Sequence, residues 1–442
     1  MSKPIATLAT QVSGKWDLHV QESILLPRLR QQALRESRGL DTDGSAEAWL
    51  RLPSEDRVPA DLVLADLVVL NQEALLGSIQ QETFATGFRP NLLTDAGLDY
   101  VCANARSIDF FEKAVLGTGT TPTVYSSGTV TATASGTTAS SSSGFFTAGM
   151  AGMVINWDSG ENAYIASVTD DSNVVLETSV TATGAFAVHA VNRTGLASIS
   201  VSQTTKTNDS VVRSGGVTTR TMSWVFALET ANKNYTEGGI YTKWDGHTYS
   251  TPLSIFLLSG GTVTVLIGQQ AKLYYAFSAS VNTEPVTGVT WPMSEYDVSD
   301  PGGWDSPTGQ HRVTSVRSLD GLTQYVDSVL LPTGSSSLRA VLSTTSSLFP
   351  YTDENPPSTT GAIGDYVTGS CSTYVSKTFY RDKTYYFSAS HSDTSAIRSF
   401  MVRDYWGKVG WQFLFDSAKT KDGNHALSLT IRCALKRVLV NP

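Results

Sequence analysis

The sequence predicts an α+β chain that is mainly β: a helical N-terminal region, then an antiparallel β-sandwich body carrying a small inserted β module. Three observations lead there. Before residue 116, charged residues are common and apolar residues recur at helical spacing. After it, Ser, Thr, Gly, Val and aromatics dominate, and short runs alternate apolar with polar residues. Turn-forming clusters separate those runs, among them SGG at 214–216 and 259–261 and DGN at 422–424.

Three helices are expected in the first quarter. ESILLPRLRQQALRESRGL (22–40) places Leu25, Leu29 and Ala33 on one face, with Gly39 as a stop. Pro27 sits in its first turn, where a missing N–H costs little. PADLVLADLVVLNQEALLGSIQQ (59–81) has Asp61 near its start and a stripe of Leu64, Val68, Leu75 and Ile79. TDAGLDYVCANARSIDFFEKAVL (94–116) is the third, with Thr94 and Asp95 as capping residues.

Six alternating runs mark strands of the body: 218–229, 261–268, 271–281, 384–390, 409–418 and 426–437. The Ser- and Thr-rich stretch TVTATASGTTASSSSGFF (129–146) is a flexible or extended link. It leads into VINW, NAYIASV, NVVLET and FAVHAV, four short strands separated by DSGE, TDDS and TATG. DVSDPGGWDSPTG (297–309) and FPYTDENPPSTTGAIGD (349–365) read as long surface loops. The expected division is a helical region at 1–93 and a main β-sandwich domain from 94–128, 192–281 and 400–442. The inserted module spans 129–191, and 282–399 is a loop-rich β excursion or a second β domain.

Composition narrows the function. The chain has 442 residues, 40% of them hydrophobic, enough for two or three domains with real cores. Its formal net charge of -8 argues against a dedicated nucleic-acid binder, which needs clustered Lys and Arg. The one basic cluster, RLRQQALRESR at 28–38, reads as a helix face that is solvated or used in protein contact. No segment approaches the roughly 20 continuous apolar residues of a membrane span. MSKPIATLATQ lacks the pattern of a secretory signal, so assembly in the cytoplasm is expected.

Motifs for chemistry are scarce. LGTGTTPT (116–123) has paired glycines but no Lys, no third glycine and a helix-like segment before it, so it is not a phosphate loop. Gly117 and Gly119 instead supply permissive backbone angles at a helix-to-strand junction. Cys102, Cys371 and Cys433 are scattered and read as buried or inert thiols; the six histidines are equally dispersed. No catalytic, cofactor-binding or metal residue is assigned. Asp297, Asp300 and Asp305, or Asp170, Asp171 and Ser172, form acidic loops that are solvated unless they hold calcium. The triplets at Asn192, Asn208 and Asn234 carry little meaning without a secretory route. Trp157, Tyr164, Trp291, Trp304, Tyr351 and Tyr366 lie in turn-rich sequence. They pack beneath loops or at subunit interfaces; the rival reading is a sugar-stacking surface. Trp224, Trp406 and Trp411 belong to core or interface.

GLDYVCANARS followed by FFEKAVLGTGTTPT resembles a start found among tailed-bacteriophage structural proteins. NRTGLASISVSQTT (192–205), NYTEGGIYTKWDG (234–246), TPLSIFLL (251–258), TVLIGQQAKLYYAFSASV (264–281) and the closing runs VGWQFLFDSA and ALSLTIRCALKR are similar to the strands that follow there. NYTEGG has two glycines where one is usual, which marks a different turn after Glu237. The resemblance covers roughly half of 94–437, in pieces, and brings no catalytic residues. It implies a non-enzymatic virion protein, tail-fibre-like or tail- and neck-associated. Its N-terminal region would anchor it to other virion subunits, near tail, neck or portal, and the chain would form a homo-oligomer. The rival expectations are a receptor- or carbohydrate-binding adhesin, a capsid decoration or head-fibre protein, and a depolymerase with paired carboxylates.

Overall fold

In the computed structural model the described residues are 6–37, 59–103, 111–126, 128–242, 251–258, 261–290, 293–296, 308–313, 339–351, 361–388, 393–403, 409–421 and 426–441. The chain is mainly β, arranged in several sheets. It does not open with a helix. Its first element is the 18-residue strand Ala6–Ser23, in which Val12, Trp16, Leu18 and Val20 point into the core while Gln11, Ser13, Lys15, His19 and Gln21 do not. That period of two is what a half-buried strand requires, so the N-terminal region is strand first and helical only afterwards.

This strand organises a ten-stranded sheet. On one side it pairs antiparallel with Gln269–Ser280, which continues to Val217–Val225 and Lys206–Ser214. On its other side it pairs parallel with Ala426–Arg437, from Ala6 opposite Ile431 to Val12 opposite Arg437. The start and the end of the described chain are therefore zipped together at the centre of one sheet. Among the described strands this is the one parallel pairing. Tyr380–Phe387 follows beyond the closing strand.

Each half of this sheet contributes to its own core. Trp16, Met222, Trp224, Leu273 and Tyr275 cluster with Leu116, Ile240, Leu253 and Phe256 from a five-stranded sheet of Ile199–Gln203, Lys113–Gly117, Glu237–Thr242, Thr251–Leu257 and Leu92–Leu93. Trp16 stacks on Phe256 with ring centroids 4.6 Å apart, an offset arrangement that adds to simple burial. In the other half, Tyr385, Phe387, Leu427, Leu429 and Ile431 pack with Leu342, Phe400, Trp411 and Phe413. Those partners come from a six-stranded sheet that also holds Val286–Thr290, Thr308–Val313 and Ala362–Thr368.

Three of the six expected body strands are observed with small changes of boundary, and a fourth, Ala426–Arg437, has the expected limits. The run at 261–268 shortens to Val263–Val265, and 384–390 lies at the end of Tyr380–Phe387. Within 282–399 the strands Val286–Thr290, Met293–Tyr296, Thr308–Val313, Arg339–Ser343 and Ala362–Thr368 are present, and the two expected loops are corrected where 308–309 and 362–365 belong to strands. Most of 297–309 and of 349–365 lies outside the described residues, as does Trp304.

Between Lys113–Gly117 and Ile199–Gln203, which pair with each other, the chain makes a separate excursion. The Ser- and Thr-rich segment is no free link there: Thr131–Ser141 is a strand paired with the region 173–185. Ala132 and Ala134 are buried and the threonines beside them exposed, so small residues still give the alternation. VINW and NAYIASV form Val154–Trp157 and Asn162–Val168 as expected. NVVLET and FAVHAV, read as two strands, are one continuous strand, Asn173–His189. Gly184 at φ 129° lets TATG pass extended rather than turning.

The helices are α1 (Leu26–Ser37), α2 (Ala60–Leu70), α3 (Gln72–Gly77) and α4 (Asp95–Ala103). α1 buries Leu26 and Ala33 against Leu64, Leu67, Val68 and Leu75; of the expected stripe, Leu29 and Leu25, which precedes the helix, are only half-buried. The expected 59–81 helix is broken at Asn71 and ends at Gly77, so Ile79 leaves the stripe and is 70% exposed. In α4, Thr94 caps as expected: the Gly97 amide donates to its Oγ1 at 3.0 Å. The end of the expected 94–116 helix is corrected, because Lys113–Gly117 is a buried strand; residues 104–110 lie outside the described residues.

Candidate functional site

The glycine turn is the first place where sequence and structure meet. A strand, not a helix, leads into it, and neither Gly117 nor Gly119 has a positive φ. Their reason for being glycine is close approach. A Cβ on Gly117 would lie 2.2 Å from the Ser198 carbonyl oxygen, and one on Gly119 would lie 2.2 Å from Glu237 Oε1. Glu237 is fully buried. Its Oε1 accepts from the Gly119 and Ser198 amides at 3.1 and 2.9 Å, and its Oε2 accepts from Arg193 at 3.2 Å. The carboxylate does what a bound anion would do in a phosphate loop, occupying the amides itself. No turn follows Glu237: Glu237–Thr242 is a buried strand, and Gly238 makes room for the Phe256 ring.

The other sequence-selected residues are structural where they are described. Trp157 is 1% exposed and its Nε1 donates to the Ala132 carbonyl at 3.0 Å, so it offers no face to a sugar. Tyr164 donates to Asp95 at 2.8 Å. Tyr366 lies under Arg403, whose guanidinium carbon is 3.1 Å from its ring centroid, and the Tyr351 hydroxyl oxygen accepts from the Gly216 amide at 2.8 Å. Trp224 and Trp411 are buried in the two main cores; Trp291 and Trp406 lie outside the described residues. Asp170 Oδ1 accepts from the Ser172 amide and the Asn173 side chain, bonds that hold its carboxyl below the usual range. Asp297, Asp300 and Asp305 lie outside the described residues. Among the described residues no three His, Cys, Asp or Glu side chains gather to hold a metal. Cys102 and Cys433 are buried, and burial pushes the Cys433 thiol up to about 12.

A polar junction joins the excursion to the closing strand. Asp95 at the start of α4 pairs with Arg437, and both are almost fully buried. Arg437 also donates to the Leu93 carbonyl at 2.6 Å and to the Tyr164 hydroxyl at 3.0 Å. Next to it, Asn441 Oδ1 accepts from His189 Nε2 and from Asn156 Nδ2, both at 2.9 Å. Burial holds His189 below its ordinary pKa. A cavity of about 620 Å³ beside these groups is lined by Asn156, Asp158, Asn162, Lys436 and Asn441. Asn441 is bonded to Asn156, Asp158 and His189 across the junction, which is the pattern of a structural seam.

The helical layer is different. Nine of the seventeen exposed large hydrophobic side chains among the described residues lie between Ile24 and Phe88. α2 is apolar on two sides: Leu64, Leu67 and Val68 face inward, while Leu62, Val69 and Leu70 are 59%, 56% and 80% exposed. Helical bonding carries past the break, since the Leu75 amide donates to the Asn71 carbonyl. Leu76 of α3 thus extends the stripe, seven residues on from Val69, which is itself seven on from Leu62. A helix apolar nearly all round is ordinarily covered on both sides. Sequence reasoning named the inner stripe and passed over the outer one; Leu62, Val69, Leu70 and Leu76 were legible as surplus apolar positions.

The chain matches no protein-family model, no curated protein and no solved structure. No helix among the described residues is long and apolar enough to cross a membrane.

Proposed function

We propose that the chain is a non-enzymatic virion structural protein of a tailed phage, a tail-fibre-like or tail- or neck-associated component. In this reading the helical layer near the N-terminus anchors it to neighbouring subunits, and the β body projects as two sandwiches that share the ten-stranded sheet. The observation that carries the proposal is the outward apolar side of α2 and α3, which a free subunit would hold against water. Support for the virion setting comes from the sequence resemblance between 94 and 437. Glu237, the amides it occupies and the bonded junction at Arg437 leave the polar clusters engaged in holding the fold.

The test is immunogold labelling of particles purified from a host that produces this chain. Label at one fixed position on every particle, tail, neck or head, is the expected result; purified particles without label would overturn the virion reading. Release of reducing ends from host surface polysaccharide by the purified chain would overturn the non-enzymatic part. Binding to empty heads in the absence of tails would move the protein to a decoration role.

A further inference from the structure

We infer that the anchoring contact is made with a second copy of this chain, head to tail, with α1 of one copy seated on α2 and α3 of the next. The inference rests on the reading of the helical layer as an assembly region and names its partner. Its basis is a division of charge. The outward side of α1 carries Arg28 and Arg35 around Leu34, all exposed, together with exposed Glu36, which accepts from Gln32 at 2.7 Å. The outward side of α2 and α3 carries Asp61, Asp66 and Glu73 around Leu62, Val69, Leu70 and Leu76, and the stretch 60–77 contains no Lys or Arg. Among the described residues none of Arg28, Arg35, Asp61, Asp66 and Glu73 has an ion-pair partner.

The α1 surface is thus one exposed leucine beside two unpaired arginines, with Glu36 engaged by Gln32, and the α2–α3 surface is an apolar stripe edged by acids; the prevailing signs are opposite. Pairing either surface with its own copy about a two-fold axis would bring like charges together, which costs stability and sets partner choice. Pairing the two different surfaces covers the α2–α3 stripe and Leu34 and joins opposite charges. Such a contact is heterologous, and when its rotation closes it generates a ring. The Asp66 to Glu73 and Arg28 to Arg35 separations are both seven residues, two helical turns, so the charges keep register along packed helices.

Light scattering on the full chain after size exclusion tests this with paired charge reversals. Wild type runs as a multimer. Arg28→Glu with Arg35→Glu, and separately Asp66→Lys with Glu73→Lys, each lower the mass toward one chain with unchanged circular dichroism. An equimolar mixture of the two variants regains the multimer, because reversed surfaces are again opposite, and so does a chain carrying all four changes. A mixture that stays at single-chain mass, or a reversal pair without effect, overturns the head-to-tail contact. A salt titration of wild type needs no variant: severalfold weaker association at high salt is expected, and salt-independent association overturns the charge pairing. A wild-type chain that stays at single-chain mass at every concentration overturns the inference, while particle labelling would leave the virion reading standing.

Discussion

Two surfaces of this molecule, the seam at Arg437 and the outer side of α2, solve opposite problems. At the seam, buried polar groups from four parts of the chain find each other: Asp95, Tyr164, His189 and Arg437, with Asn441 between. On α2, apolar side chains stay in water with nothing of the described chain over them. The first surface is finished within one subunit; the second is finished only in company. Stability and assembly should therefore be separable by mutation.

The largest effect is expected at the seam. Arg437→Ala removes the partner of a buried carboxylate and the donor to Leu93, and should cost about 3–5 kcal/mol in chemical denaturation, since the unpaired charge stays buried. Leu75→Ala, on the inner side of the helical layer, should cost about 2–5 kcal/mol through lost burial and the cavity it leaves. Gly119→Ala should cost about 1–3 kcal/mol, because the new methyl meets Glu237 Oε1 and the buried Arg193 pair must shift. If Gly119→Ala were neutral, close approach would not be the reason for that glycine.

The seam should also sense pH. Burial lowers the pKa of His189, so the unfolded chain binds a proton first as pH falls through about 6.5. Stability from this group is complete above that pH and declines below it, down to the folded-state pKa, by at most about 1.4 kcal/mol per pH unit. Denaturation midpoints across this range should show a shallower slope in His189→Gln. His311 is lowered by burial too, so some slope should remain. The smallest stability change belongs to the outer face: Leu70→Gln should shift stability by no more than about 0.5 kcal/mol while weakening self-association.

Much of the β body was legible because alternation survives whatever the tertiary context. Ala426–Arg437 shows it in full, apolar at every second position. The opening strand had the same signal in Val12, Trp16, Leu18 and Val20, but Thr10 and Gly14 occupy inward positions without an apolar side chain, and its parallel partner lies more than 400 residues away. TVTATASG hid its strand because alanine and threonine differ little in hydrophobicity, although only the alanines are buried. The single strand Asn173–His189 was divided at TATG because glycine permits a turn without requiring one. KAVLG was absorbed into a helix since a short buried strand and a buried helical turn have the same composition. At the helical layer Ala33, Leu64, Val68 and Leu75 were read as inner positions, while Leu26 and Leu67 were missed and Ile79 is exposed. The outer stripe was not read, because period analysis seeks one apolar face and α2 has two.

The central claim is that the outer side of α2 is covered by another protein chain in the working assembly. Sedimentation equilibrium of wild type beside Leu62→Gln, Val69→Gln and Leu70→Gln combined tests it most directly. The account predicts a multiple of the 47.4 kDa chain for wild type and a single chain for the folded triple variant. Equal single-chain masses for both would contradict it.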